Sequence, residues 1–318
     1  MKKLLIVALA VIAVTHVVRA DSAERIPTVA VFNLGSDPIL NDSVAGIKAA
    51  LAEEGYGPDK LKLIETSANF EMDKLNAFAK ELLNAKPDII VPISTPVTLA
   101  VVKEATESQK IVFSTVTNPS DVGMDKKPKN MTGVSDVVNY KANFDLIFEL
   151  FPKTKTVGIP YNAGERNSQF GIEQIKQLAD KRGVQLRLVS VSNSQEVTDA
   201  ARSLIGSVDV IYVGSDNTVV SAMGGLTKIA NERRIPVIAS DSGSVKEGAL
   251  AAVSVDYERL GRRAGKIVAD VLRANKMPGT IEPVPFLGNT LILNLKAART
   301  LGYEFSKEVH SRAAKVIE

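Results

Sequence analysis

A set of short stretches carries side chains able to hold a small polar molecule: Asn33 to Pro38, Ser94-Thr95-Pro96, Thr117-Asn118-Pro119, Tyr161 to Glu165, Ser215-Asp216-Asn217 and Asp241-Ser242. Hydroxyls, amides and a few carboxylates dominate them, and no cationic cluster stands among them. In Ser94-Thr95-Pro96, Thr95 reads as an N-cap and Pro96 as the first residue of a helix over 96–107. The free N–H groups of such a helix start, with the positive end of its dipole, suit a carboxylate. Thr117 adds a hydroxyl from the neighbouring segment. Asp216 could hold an ammonium group, and Asp241 follows the same logic; each reads equally well as a helix N-cap. Asn162, Asn167 and Ser168 are further contact candidates, with Gly164 allowing close backbone approach. Glu165 reads as a favourable charge in a first helical turn. Phe32 reads as core, Tyr161 as either core or ligand packing, and Tyr257 as structural.

Whole classes of chemistry are excluded. The 318 residues contain no cysteine, and the only histidines are His16 and His310, near the chain ends. Thiol nucleophiles, cysteine zinc sites, disulfides and a histidine triad therefore drop out, and neither metal nor cofactor is expected. Gly261 to Lys266 (GRRAGK) has the wrong spacing for a phosphate-binding loop and lacks the following Ser or Thr. Lys and Arg number 39 against 36 Asp and Glu, a formal charge of +3. Lys2, Lys3 and Arg19 account for that excess, leaving a neutral body that lacks the basic face a nucleic acid requires.

The elements that must position these groups follow from hydrophobic pattern. Apolar runs at 28–34, 61–66, 88–93, 110–116, 156–161, 184–190, 209–214 and 235–240 are nearly continuous Val, Ile and Leu, as strands buried on both faces must be. Between them, 71–85, 170–179 and 257–274 carry single apolar stripes at helical spacing. This alternation implies an α/β fold of two doubly wound parallel-sheet lobes joined by hinge strands. The chain divides near 140, with lobe 1 formed by 27–140 plus 256–283 and lobe 2 by 141–255 plus 284–318. The segment 117–139 has little regular pattern and reads as a crossing region, with a second crossing near 252–256. In such sheets ligands sit beyond the carboxyl ends of the strands, where the polar stretches above fall.

Residues 1–20 (MKKLLIVALAVIAVTHVVRA) read as a secretory signal peptide: two lysines, an apolar run from Leu4 to Val14, and Val18 and Ala20 at small-residue cleavage positions. A soluble mature chain of about 21–318 in the periplasm is expected.

The order of elements resembles type I periplasmic binding proteins. More narrowly, Tyr161-Asn162-x-Gly164-Glu165-x-Asn167-Ser168, Thr117-Asn118-Pro119, Ser215-Asp216-Asn217 and Asn294-Leu295-Lys296-Ala297-Ala298 with Leu301-Gly302 resemble the ABC transporter substrate-binding family that includes tryptophan and tyrosine uptake proteins. The match runs over about 27–303, and Ala163 stands where that family commonly has Pro. The resemblance implies an aromatic or other hydrophobic L-amino acid as ligand and a membrane permease as partner, with the chain acting as a monomer. It implies that Ser94, Thr95 and Thr117 take the α-carboxylate and that Asp216, with Asn217, takes the α-ammonium. Tyr161, Asn162, Asn167 and Ser168 would line the second-lobe wall, and Phe32, Leu34 and Asp42 are lesser first-lobe candidates. Closure of two lobes on a bridging ligand is the expected mechanism. Two other readings stay open at this point: a ligand-sensing module for a membrane sensor, and an exported carboxylate-based hydrolase using Asp216, Asp241 or Glu165.

Overall fold

The computed structural model describes residues 25–318. The expected signal peptide at 1–20 lies outside them. The chain runs β1 (Thr28–Asn33), α1 (Pro38–Glu53), β2 (Lys62–Ser67), α2 (Leu75–Asn84), β3 (Ile89–Ile93), α3 (Thr95–Glu104), β4 (Lys110–Ser114) and β5 (Met131–Val137). It continues through α4 (Tyr140–Leu150), β6 (Thr156–Asn162), α5 (Arg166–Arg182), β7 (Gln185–Val191), α6 (Val197–Leu204), β8 (Val210–Val213), α7 (Asn217–Val220), α8 (Met223–Glu232), β9 (Val237–Ala239), α9 (Ser242–Lys246) and β10 (Ala251–Ser254). The last part is α10 (Tyr257–Ala274), β11 (Val284–Leu287), β12 (Thr290–Asn294), α11 (Leu295–Leu301), α12 (Lys307–Arg312) and β13 (Lys315–Ile317).

Two sheets result. The first has the order β11-β5-β4-β3-β1-β2, with every neighbouring pair parallel. The second has the order β13-β12-β10-β9-β8-β6-β7. It is parallel from β7 to β10, and β12 then runs antiparallel to β10. Helices cover both faces of each sheet, so inner strands such as β3 and β8 are buried throughout. The first lobe has one continuous core that includes α10; the second has separate cores on the two faces of its sheet.

Every apolar run read from the sequence forms a strand, and the structure adds others. The stretch expected to be a crossing contains β5, whose sequence MTGVSDV lacks an apolar run. It is nonetheless an inner strand, with Thr132, Ser135 and Asp136 almost fully buried. Thr132 meets this burial by donating from Oγ1 to the Ile281 carbonyl at 2.7 Å. The expected boundary at 283/284 also moves, because Val284–Leu287 pairs with β5 in the first sheet rather than joining the second.

The chain therefore crosses between lobes after β5, between β10 and α10, and between β11 and β12. The crossings lie side by side. The N–H of Gly288 donates to the Val137 carbonyl at 2.9 Å, and a Cβ at Gly288 would approach the Val255 nitrogen to 3.2 Å. Short adjacent crossings of this kind form a hinge.

Candidate interlobe binding site

The facing carboxyl ends of the two sheets enclose a cleft. Its first-lobe wall comes from the residues after β1, β3 and β4, including Ile39, Ser94, Thr95, Thr115 and Thr117, and from Asp136 near the end of β5. The second-lobe wall comes from Asn167, the run Gly214 to Asn217, Val220, Ser240 and Asp241. Tyr257 closes the cleft at the hinge. In both sheets this is the region where strand order reverses, at β1/β3 and at β6/β8, which is where open α/β sheets bind ligands.

Helix α3 begins one residue earlier than expected. Its N-cap is Ser94, not Thr95, and no side chain caps it. Ser94 has φ 87° and ψ 157°, a conformation that suits glycine and costs a serine roughly 1–3 kcal/mol. Its Oγ is buried without a hydrogen-bond partner. The helix start therefore presents free N–H groups and an unpaired hydroxyl to the cleft. Thr117 stands beside it, its N–H 3.4 Å from the Thr95 Oγ1.

Asp136, absent from the sequence-based candidates, ends β5 inside the cleft and is 2% exposed. Its Oδ1 has no hydrogen-bond partner among the described residues, and its Oδ2 receives a long 3.4 Å contact from the Tyr257 hydroxyl. Burial pushes its carboxyl up to about 7, and its own backbone N–H, with the nearby Thr117 and Tyr257 hydroxyls, opposes this only partly. Asp37 caps α1 through the N–H groups of Ile39 and Leu40, and burial raises it to about 6. Asp241 caps α9 through the Ser244 N–H and hydroxyl, and burial raises it as well. No Lys or Arg lines the cleft among the described residues.

Asp216 also lines the cleft, but its oxygens are engaged. Oδ1 accepts from the Val219 N–H at 2.9 Å; Oδ2 accepts from the Asn162 N–H at 2.5 Å and the Ser168 hydroxyl at 2.6 Å. Burial and the neighbouring Glu165 raise its carboxyl above the usual range. Glu165 is the N-cap residue of α5 rather than a charge within its first turn. It is 2% exposed and reaches across to the start of α7, accepting from Asn217 and Thr218 and from the Asn167 amide. Asn162 is likewise occupied, linking Asp216, Gly164 and Thr218. Asn167 donates to the Ser215 carbonyl, while its Oδ1 is buried and unpaired.

The remaining candidates separate by place. Tyr161 and Ser168 line a narrow second cavity that adjoins the cleft at Gly214, Ser215 and Asp216. Phe32 and Leu34 lie in the first-lobe core with no exposed surface, Phe32 edge-on to Phe78 at 6.4 Å. Asp42 sits at the mouth, 4.0 Å from Lys246 of the opposite lobe. Thr117 Oγ1 and Ser215 Oγ meet across the cleft at 3.0 Å, so the lobes are shut on each other. Sequence reading missed Ile39, Thr115, Asp136, Gly214, Val220 and Ser240, and took Tyr257 as structural only. Asp136 carried one usable signal, an acid ending a segment just as Asp216 and Asp241 do.

A curated relative, a tyrosine-binding protein of Clostridioides difficile, is 36% identical over 280 residues, covering 86% of this chain and 80% of that protein. A Streptococcus pneumoniae ABC domain solved in complex with L-Trp superposes with a TM-score of 0.87 at 29% identity, covering 92% of this chain and all of that one. The ligand-free, open structure of a substrate-binding protein with adhesive properties from Clostridium difficile gives 0.68 at 30% identity, covering 92% and 99%. At nearly equal identity the fit to the ligand-bound relative is much the better, in keeping with the contacts made across the cleft here. The family model for ABC transporter substrate binding proteins matches residues 28–317, the whole of both lobes, and the chain belongs to that family.

Proposed function

We infer that the chain captures a small solute for an ABC importer, the non-catalytic role of its family. We propose that the solute is an aromatic L-amino acid and that capture takes place outside the cytoplasmic membrane, following the export signal at 1–20. The observation that carries the ligand class is Asp136: a buried carboxylate oxygen without a partner, in a cleft that no cationic side chain among the described residues lines. An ammonium group completes it. The α-carboxylate then faces the uncapped start of α3 and the Ser94 hydroxyl on the same wall. Asp216, already accepting three hydrogen bonds, shapes the wall rather than pairing with the ligand. The tyrosine-binding relative and the L-Trp complex favour an aromatic side chain.

The test is calorimetry on Asp136→Asn beside the wild type, preceded by a thermal-shift panel of amino acids. Asn keeps the shape and removes the charge, so affinity should fall at least about tenfold with the melting temperature unchanged or raised. In the wild type, affinity should weaken as pH drops through about 7, where Asp136 takes up a proton. Equal affinity in the variant moves the ammonium elsewhere. A panel in which no amino acid raises the melting temperature overturns the ligand class.

A further inference from the structure

Beneath the second-lobe wall, the narrow cavity that shares Gly214, Ser215 and Asp216 with the cleft is otherwise apolar on two sides, with Ile159 and Ile172 among its walls. Two tyrosines break that pattern. Tyr140 opens α4 and is 7% exposed; Tyr212 lies within β8 and is 1% exposed. Neither hydroxyl makes a hydrogen bond among the described residues, although the Ser240 hydroxyl lies close to that of Tyr212. A phenol oxygen buried unpaired costs stability, and phenylalanine would fill either position without that cost. Glycines make room for these tips. A Cβ at Gly171 would stand 3.0 Å from the Tyr140 hydroxyl oxygen, and one at Gly214, at the junction with the cleft, 3.5 Å from the Tyr212 ring.

We propose that the Tyr140 and Tyr212 hydroxyls form a specificity subsite that reads a hydrogen-bonding tip on the ligand's aromatic ring, a phenol O–H or an indole N–H, and so discriminates against a plain phenyl ring. The inference rests on the aromatic amino acid reading above and deepens it. The ring occupies the cleft beside Gly214, and its polar tip enters the narrow cavity. Each hydroxyl can donate or accept, so the pair serves either tip. A site that holds buried polar groups in readiness rejects a ligand lacking the partner, because those groups then stay unpaired.

The experiment is calorimetry with L-tyrosine, L-tryptophan and L-phenylalanine on the wild type, Tyr140→Phe and Tyr212→Phe, with melting temperatures of each ligand-free protein. The wild type should bind tyrosine or tryptophan about tenfold or more tightly than phenylalanine. Each variant should lose most of that ratio while binding phenylalanine as well as the wild type does. Its ligand-free melting temperature should hold or rise, since an unpaired hydroxyl has been removed; a hydroxyl that only anchors structural water would instead lower it. Amino acid binding with no preference for a polar tip, or a preference that survives both substitutions, overturns the subsite and leaves the reading of the cleft intact. Failure of every amino acid to bind overturns both.

Discussion

Asp136 and Asp216 are both buried carboxylates at strand ends, yet their surroundings give them opposite tasks. Asp216 caps α7 and gathers Asn162 and Ser168, while one oxygen of Asp136 has nothing to accept from. Asp216→Ala should therefore act on folding first. It strands the N–H groups of Val219 and Asn162 and the Ser168 hydroxyl, and should lower stability by about 2–4 kcal/mol in urea denaturation, a loss visible without ligand. The contrast was only half legible in the sequence. Ser94, Thr95, Thr117, Asp216 and Asp241 are legible because each follows an apolar run, and Asn167 because it falls in the first turn of the next helix; the structure places them all on one cleft. Asp136 is not legible, because β5 buries polar residues and so carries no such run. Tyr212 was hidden for the opposite reason: inside the apolar run 209–214 a tyrosine is indistinguishable from core. Which carboxylates are engaged depends on contacts such as Glu165 to Thr218, between segments far apart in the chain, and no local pattern encodes those.

Among the elements, the pair α1 and α10 sets the geometry of the first-lobe wall. α1 starts at Pro38 and α10 at Tyr257, and their first turns deliver Ile39 and Tyr257 to the cleft. They touch backbone to backbone through Gly46, Gly261 and Gly265. A Cβ on Gly261 would fall inside the van der Waals radius of the Ser43 carbonyl oxygen, and one on Gly46 would meet Glu258 in the same way. This gives Gly261 and Gly265 a purpose that the failed match to a phosphate-binding loop could not supply. Gly261→Ala must push the helices apart, and should cost about 2–3 kcal/mol in chemical denaturation and shift Tyr257 within the cleft. The amphipathic stripe of 257–274 was plain in the sequence, as was the helix itself. Its partner was not, since α1 lies some two hundred positions away and periodicity names a buried face without saying what covers it.

At the scale of the whole molecule, acids whose carboxyls burial has raised gather in and beside the cleft: Asp136 to about 7 and Asp216 and Asp241 also upward within it, and Asp37 to about 6 at the start of α1. A carboxyl raised on folding binds its proton more tightly in the native state. Its contribution to stability is complete below the unfolded value of 3.8 and is lost as pH climbs through 6 to 7. The melting temperature of the ligand-free protein should therefore decline between pH 4 and about 7.5, and a bound ammonium should reverse much of that decline. A flat ligand-free profile across this range would mean that these acids titrate normally. The two-lobed architecture itself could be read from the alternation of runs and stripes. The pose of the lobes could not, because it is written in contacts such as Thr117 to Ser215 and Asp42 to Lys246 that join distant segments.

The repeated crossing at the hinge also bears on how the molecule is made. The first sheet is completed only when β11 adds to β5, and its core lacks Tyr257, Leu260, Ala264 and Val268 until α10 has been synthesised. A nascent chain that has emerged only as far as residue 255 thus holds an amino-terminal half with apolar surface exposed along an entire helix-sized groove. The first lobe can therefore close its core only after the polypeptide has been made through β11, when most of the second lobe already exists.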